Sequence, residues 1–241
     1  LTQCEEEKKS FQQLIDYYHS YEKLKHPQLT NQLRPYIWDT TKQIDVDVRE
    51  LAIYIAEACQ VSELQEDLVN LALDSSQSVD LRASAANALA TIGSIETRRK
   101  LKPLAVKQLP EDKNDQLKGY ALKALWPNIL SAQELFETLT SCKQINVYGG
   151  YQNFLDELIK QLKLDDLVLA LDWLADQGVR HFGHSFERLG NNILLKAWEN
   201  FDFLGVAKGF AKCALVQWKE YRPVITDSNC NEEQFVLSVL A

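Results

Sequence analysis

Asp47-Val48-Arg49-Glu50-Leu51-Ala52-Ile53-Tyr54-Ile55-Ala56 and Asp80-Leu81-Arg82-Ala83-Ser84-Ala85-Ala86-Asn87-Ala88-Leu89 read as two copies of one pattern. Each is an Asp, an aliphatic residue, an Arg, and an Ala three residues after the Arg, in a run with helical spacing. A blurred third copy, Leu117-Lys118-Gly119-Tyr120-Ala121-Leu122-Lys123-Ala124-Leu125, puts Lys where the others have Arg. Arg49 and Arg82 are 33 residues apart, and Arg82 and Lys118 are 36 apart. A period in this range predicts stacked helical hairpins, each burying its apolar face only against its neighbours. The expected fold class is all-α, a right-handed α-α superhelix of solenoid type. The pattern states an architecture and names no reaction.

Outward from these copies the chain divides into three stretches. Residues 1–46 read as a helical lead-in, with Phe11, Leu14, Ile15 and Tyr18 at helical spacing and Pro35 as the first turn of a short apolar helix. Residues 47–145 hold the repeats. Residues 146–241 read as divergent helical repeats or a helical cap, less regular than the first half. Within the repeats the predicted buried stripes are Val48, Leu51, Ala52, Ile55 and Ala56; Leu64, Leu68, Leu71 and Ala72; and Leu81, Ala85, Ala88, Leu89 and Ile92. Ser62 is a candidate N-cap, Gly93 a helix stop, and Pro103 a kink or restart in a helix over 96–109. Ser131 with Glu134 spells a capping box. Farther on, the stripe Phe203, Val206, Ala207, Phe210, Ala214 and Trp218 marks a last helix, and 146–150 the strongest turn and hinge candidate.

Composition narrows the functional classes. The apolar fraction is 46% and the charged fraction 25%, as in an ordinary globular chain. No apolar run approaches the roughly 18 residues of a membrane span, so no membrane partner is expected. The net charge of -8 weighs against a nucleic-acid backbone as main partner. Five scattered cysteines without a C-x-x-C suit a reducing, cytoplasmic setting and offer no zinc framework. The chain has no methionine. An interior piece of a longer chain is one reading of that; a sequence from which methionines have been dropped is the other.

The Asp-aliphatic-Arg…Ala…Ala-Leu signature at 47–59 and 80–93, degraded at 115–127, resembles HEAT-like repeats, and the Pro103 kink resembles the kinked first helix of such a repeat. The string Leu117 to Pro127, with Glu134-Leu135-Phe136 after it, resembles helical regions downstream of the nucleotide-binding domain in large bacterial NACHT-type signalling NTPases. That second resemblance implies a sensor or scaffold segment whose motor lies outside this chain. HEAT-like DNA glycosylases imply an alternative, a nucleic-acid-binding protein. A HEAT-like lyase or chaperone for a pigment is the third.

Each chemical motif has a plainer reading beside it. Gly183 to Gly190 has the wrong spacing for a phosphate loop and Asn191 where a Lys is required. His181 and His184, with Glu187, lack the helix and third ligand of a zinc protease. Asp165 and Asp166 read as helix-start residues, and Asp172 and Asp176 as surface carboxylates. Cys142 and Cys213 have no His or Asn motif beside them. The five tryptophans read as core. Neither a metal site nor a cofactor site is expected, and no enzymatic activity in this piece.

What remains is a surface. If Val48, Leu51, Ala52, Ile55 and Ala56 face inward, Glu50, Tyr54 and Glu57 share the opposite side, and Ser84, Asn87 and Thr91 are the matching set in the next copy. Tyr54 among polar neighbours is a candidate anchor for a protein partner or for the rest of its own chain; the alternative is a core Tyr54 packed on the lead-in. Arg98, Arg99 and Lys102 form a candidate basic patch, with Arg98 and Lys102 on one helical face. Arg49, Arg82 and Lys118 are expected in an inter-repeat ladder with Asp47 and Asp80.

Overall fold

The three look-alike stretches become three helices that pack on one another. The computed structural model describes residues 21–38, 43–144, 149–177 and 184–219. The regular secondary structure among the described residues is helical, with no strand among them. The chain divides into two compact units, Leu1–Asp112 with Gln116–Leu125, and Lys113–Asp115 with Trp126–Ala241.

In the first unit the helices are α1 (Leu29–Ile37), α2 (Val46–Ala58), α3 (Gln65–Leu73), α4 (Val79–Ile92), α5 (Ile95–Arg99), α6 (Lys102–Val106) and α7 (Gln116–Leu125). The pattern-bearing helices make one layer, α2 on α4 and α4 on α7. Helices α1, α3 and α5 make the other, α1 on α3 and α3 on α5. Ala52, Ala56, Ala85, Ala88 and Ala121 are buried in the first layer. Their small side chains let neighbouring helices approach closely.

Local chemistry sets the helix ends. Asp45 caps α2 by accepting from Asp47 N at 2.9 Å, and Ser78 caps α4 through Leu81 N at 3.3 Å. Ser131 and Glu134 form the expected capping box. Ser62 caps nothing: it opens a 3-10 turn, Ser62–Leu64, that leads into α3. Gly93 ends α4 at φ -76, so no left-handed turn requires it. A Cβ there would sit 2.6 Å from the Leu89 carbonyl oxygen, and that contact is what selects glycine. Pro103 restarts the chain as α6, because its ring presets the first helical turn. Pro35 lies inside α1 rather than at its start, since the helix already begins at Leu29.

The buried face of α2 differs from the expected stripe. Arg49, Ala52, Ile53 and Ala56 are buried, while Val48 is 38% and Leu51 41% exposed and Ile55 is half-buried. The face is rotated by one residue, because the described partners of the Arg49 guanidinium lie on the inside. Its Nε donates to Tyr36 O at 3.2 Å, Nη2 to Ile37 O at 2.9 Å, and Nη1 to Gln77 Oε1 at 2.8 Å. Arg82 repeats the device: Nε donates to Ala72 O at 3.0 Å, and Nη1 meets Glu111 Oε1 at 3.2 Å. Each arginine therefore ties the last turn of the preceding helix to the connector that leads into the next pattern-bearing helix. A cation at those terminal carbonyls also suits the negative end of the helix dipole.

The second unit holds α8 (Ala132–Thr138), α9 (Gly150–Gln161), α10 (Leu164–Gln177), α11 (His184–Glu199) and α12 (Leu204–Lys219). Alternate helices again pack, α8 and α12 on α10, and α9 on α11. Lys196 on α11 donates to Ile159 O at 2.8 Å and Leu162 O at 2.7 Å, a lysine version of the same helix-end tie. Phe136, Trp173, Phe186 and Tyr151 form one chain of aromatic contacts, and Trp198, Phe201 and Phe210 form another. Phe203, expected in the last buried stripe, precedes α12 and is 42% exposed; the side chain of Trp218 lies outside the described residues. So do residues 146–148 of the hinge candidate, while Gly149 is the N-cap of α9.

Helices α10 and α12 meet at Gly209, where an added Cβ would lie 2.9 Å from Leu171 Cβ and 3.1 Å from its Cδ1. Gly209→Ala must push the two helices apart, and is expected to cost about 1–3 kcal/mol in spite of alanine's better helix propensity. Chemical denaturation of the variant measures this; an unchanged or higher midpoint is the contrary result.

Candidate functional site

The helical register brings most of the sequence-predicted surface residues to one place. Tyr54 and Glu57 on α2, Ser84, Asn87 and Thr91 on α4, and Tyr120 on α7 line one groove of about 470 Å³, together with Glu22, Ala58 and Gln60. The groove exists because α2, α4 and α7 lie side by side with their polar edges aligned. Glu57 is the bridge across it. Its Oε1 accepts from Thr91 Oγ1 at 2.9 Å, and its Oε2 from Asn87 Nδ2 at 3.3 Å. Asn87 in turn accepts from Lys123 Nζ at 2.9 Å. Tyr54, Glu57, Ser84, Asn87 and Tyr120 are half-buried; Thr91 is exposed.

Glu50 stands outside this lining but joins it through Ser84, whose side chain hydrogen-bonds to it. Its carboxyl titrates above the ordinary range. Partial burial is the main cause, the neighbouring Asp80 and Asp47 charges add to it, and the Ser84 bond works the other way. The ionised form is thus disfavoured in the folded chain relative to the unfolded one. A carboxyl raised in this way contributes stability below its unfolded pKa, and that contribution is lost as pH rises through the folded value. Glu50→Gln is therefore expected to stabilise the protein modestly at pH 7, by less than about 1 kcal/mol given its exposure, with the gain vanishing in acid. Melting curves at both pH values check the sign; a loss at pH 7 contradicts it.

The basic run behaves differently from its expectation. Arg98 and Arg99 end α5 and Lys102 opens α6, so Arg98 and Lys102 do not share a single helix. Arg98 is half-buried, packing its Cγ at Gly93, and Arg99 is exposed. Between them and Lys102, Lys100 pairs with Glu66 at 2.8 Å.

Other candidates have structural roles where described. Asp166 accepts from Lys163 N at 3.0 Å as a helix start. Asp172 and Asp176 both hold Lys212, at 3.1 and 3.2 Å. Cys213 is buried and donates to Leu171 O at 3.2 Å; desolvation is the largest influence raising its thiol to about 12. Cys59 is likewise raised by burial and donates to Tyr21 O at 3.0 Å. No group of three metal-ligating side chains occurs among the described residues. No described helix is long and apolar enough to cross a membrane. His181 and Gly183 lie outside the described residues, as do Cys4 and Cys230.

Sequence reasoning missed Tyr120, Gln60 and Glu22, and the small Ala58 beside Glu57. Tyr120 had a usable signal: it stands two residues after Lys118, as Ser84 stands two after Arg82. Gln60 and Glu22 had none, for they belong to a turn and to a segment with no repeat counterpart. Compared with protein-family models, curated proteins and solved structures, the chain matches none of them.

Proposed function

We propose that this chain is a protein-interaction and scaffold module, in which stacked helices present the groove between α2, α4 and α7 to a polypeptide partner or to another part of its own parent chain. The observation that carries the reading is the groove itself. It holds two tyrosines and several hydrogen-bonding groups on three rigid helices, the mixture in which a few residues carry most of a protein interface's energy. The two described buried thiols are protonated and engaged, which supports a binding rather than a catalytic reading. We place the stack in a right-handed superhelix of HEAT-like type, and the chain as a sensor or regulatory segment of a larger cytoplasmic signalling NTPase. Both rest on the repeat pattern and on the resemblance of residues 117–136.

The test is selection of random peptides on the immobilised protein, with short single- and double-stranded DNA titrated in parallel. Selected peptides are expected to bind about 1–2 kcal/mol more weakly to Tyr54→Ala, a variant whose half-exposed side chain leaves thermal stability nearly unchanged. A failure to select any peptide, or salt-sensitive DNA binding stronger than any peptide's, overturns the reading. A large loss of thermal stability in Tyr54→Ala means that this tyrosine serves the core instead.

A further inference from the structure

We infer that the groove receives an arginine side chain of its polypeptide partner; this rests on the reading of the groove as a protein-binding surface. The first argument is charge. Two carboxylates, Glu22 and Glu57, line the groove, and among the described residues no cationic side chain does. Glu50, outside the lining, has Asp80 and Asp47 as charged neighbours. The neighbouring cation, Lys123, is engaged by Asn87 at 2.9 Å. Such a site draws in positive charge and repels acidic segments.

The second argument is geometry. Thr91 and Asn87 each bind a different oxygen of Glu57, which fixes the plane of the carboxylate before any ligand arrives. An ionised carboxylate has about four lone-pair sites, so two remain for an incoming donor pair after these bonds. A guanidinium offers two parallel N–H donors in a planar fork that fits this acceptor. Tyr54 and Tyr120 come from α2 and α7 on either side of α4, and a phenol ring is a favourable surface for a cation, arginine more often than lysine. Guanidinium is also more weakly hydrated than ammonium, so it enters a half-buried groove at lower cost. The volume of about 470 Å³ exceeds one side chain and leaves room for flanking residues of an extended segment.

The experiment uses the intact 241-residue chain and the random-peptide selection described above. Selected peptides are sequenced, resynthesised with each arginine replaced by lysine, citrulline or alanine, and titrated by fluorescence anisotropy. The expected outcome is arginine enrichment at one position. Affinity should fall at least tenfold with citrulline or alanine there, and less with lysine. Glu57→Gln is expected to lower the affinity of the arginine peptides tenfold or more, yet to leave their citrulline versions unchanged. That interaction between the two substitutions distinguishes contact from a general loosening of the fold, and binding should weaken with added salt. Peptides that bind the groove without cationic bias, or arginine peptides indifferent to Glu57→Gln, overturn the inference and leave the protein-binding reading standing. Failure to select any peptide overturns both.

Discussion

Arg49→Ala is expected to destabilise the protein by about 3 kcal/mol, a fall in melting midpoint of roughly 10 °C for a chain of this size. Arg49 is 4% exposed and gives three described hydrogen bonds, two to backbone carbonyls at the end of α1 and one to Gln77. Truncation leaves these carbonyls short of a donor in a region that water reaches poorly, which costs more than the net value of the bonds suggests. Arg49→Lys is expected to recover only part of the loss, because one ammonium cannot reproduce a fork that spans three acceptors. The control is Arg34→Ala, whose surface pair with Asp67 at 3.0 Å should contribute less than about 1 kcal/mol. Equal effects at Arg49 and Arg34 in thermal melts contradict the assignment.

Phe210→Ala is expected to cost about 3–5 kcal/mol, acting on the second unit. The ring is fully buried, with its centroid 5.8 Å from both Trp198 and Phe201. It sits beside Gly209, whose close approach to Leu171 leaves α12 little freedom to collapse into the cavity. Limited collapse is the condition under which large-to-small changes cost most. Leu215 on the same helix is 61% exposed, and Leu215→Ala should change stability by no more than about 0.5 kcal/mol. Urea denaturation of the two variants separates the cases; similar midpoints contradict the packing described.

Much of the helix content was legible because burial in a stacked-helix unit follows a short period. Leu64, Leu68, Leu71 and Ala72, and the stripe from Leu81 to Ile92, are buried as their spacing requires. The reading failed where a polar residue competes for the inside. Hydrophobicity alone places Val48 and Leu51 inward, but a guanidinium with three acceptors turns α2 by one position. Nothing in the local sequence announces acceptors at Tyr36, Ile37 and Gln77. Of the candidate groove, the positions on α2 and α4 were legible because the repeat fixes equivalent faces. Its third wall, Tyr120, falls in the copy where Lys118 replaces Arg. The bonds that orient Glu57 were not legible, since they depend on the register between two helices rather than on either one.

The repeated arginine has a consequence for how the first unit opens. A stack joined only by contacts between adjacent layers can fray from its ends one layer at a time. Arg49 spans from α1 to the connector before α4, and Arg82 from α3 to the connector before α7, so releasing one layer also strips acceptors or donors from the next. Amide hydrogens of α2, α3 and α4 should then exchange with solvent as one cooperative block at a shared opening free energy. With Arg82 shortened, that block should separate into segments that open independently.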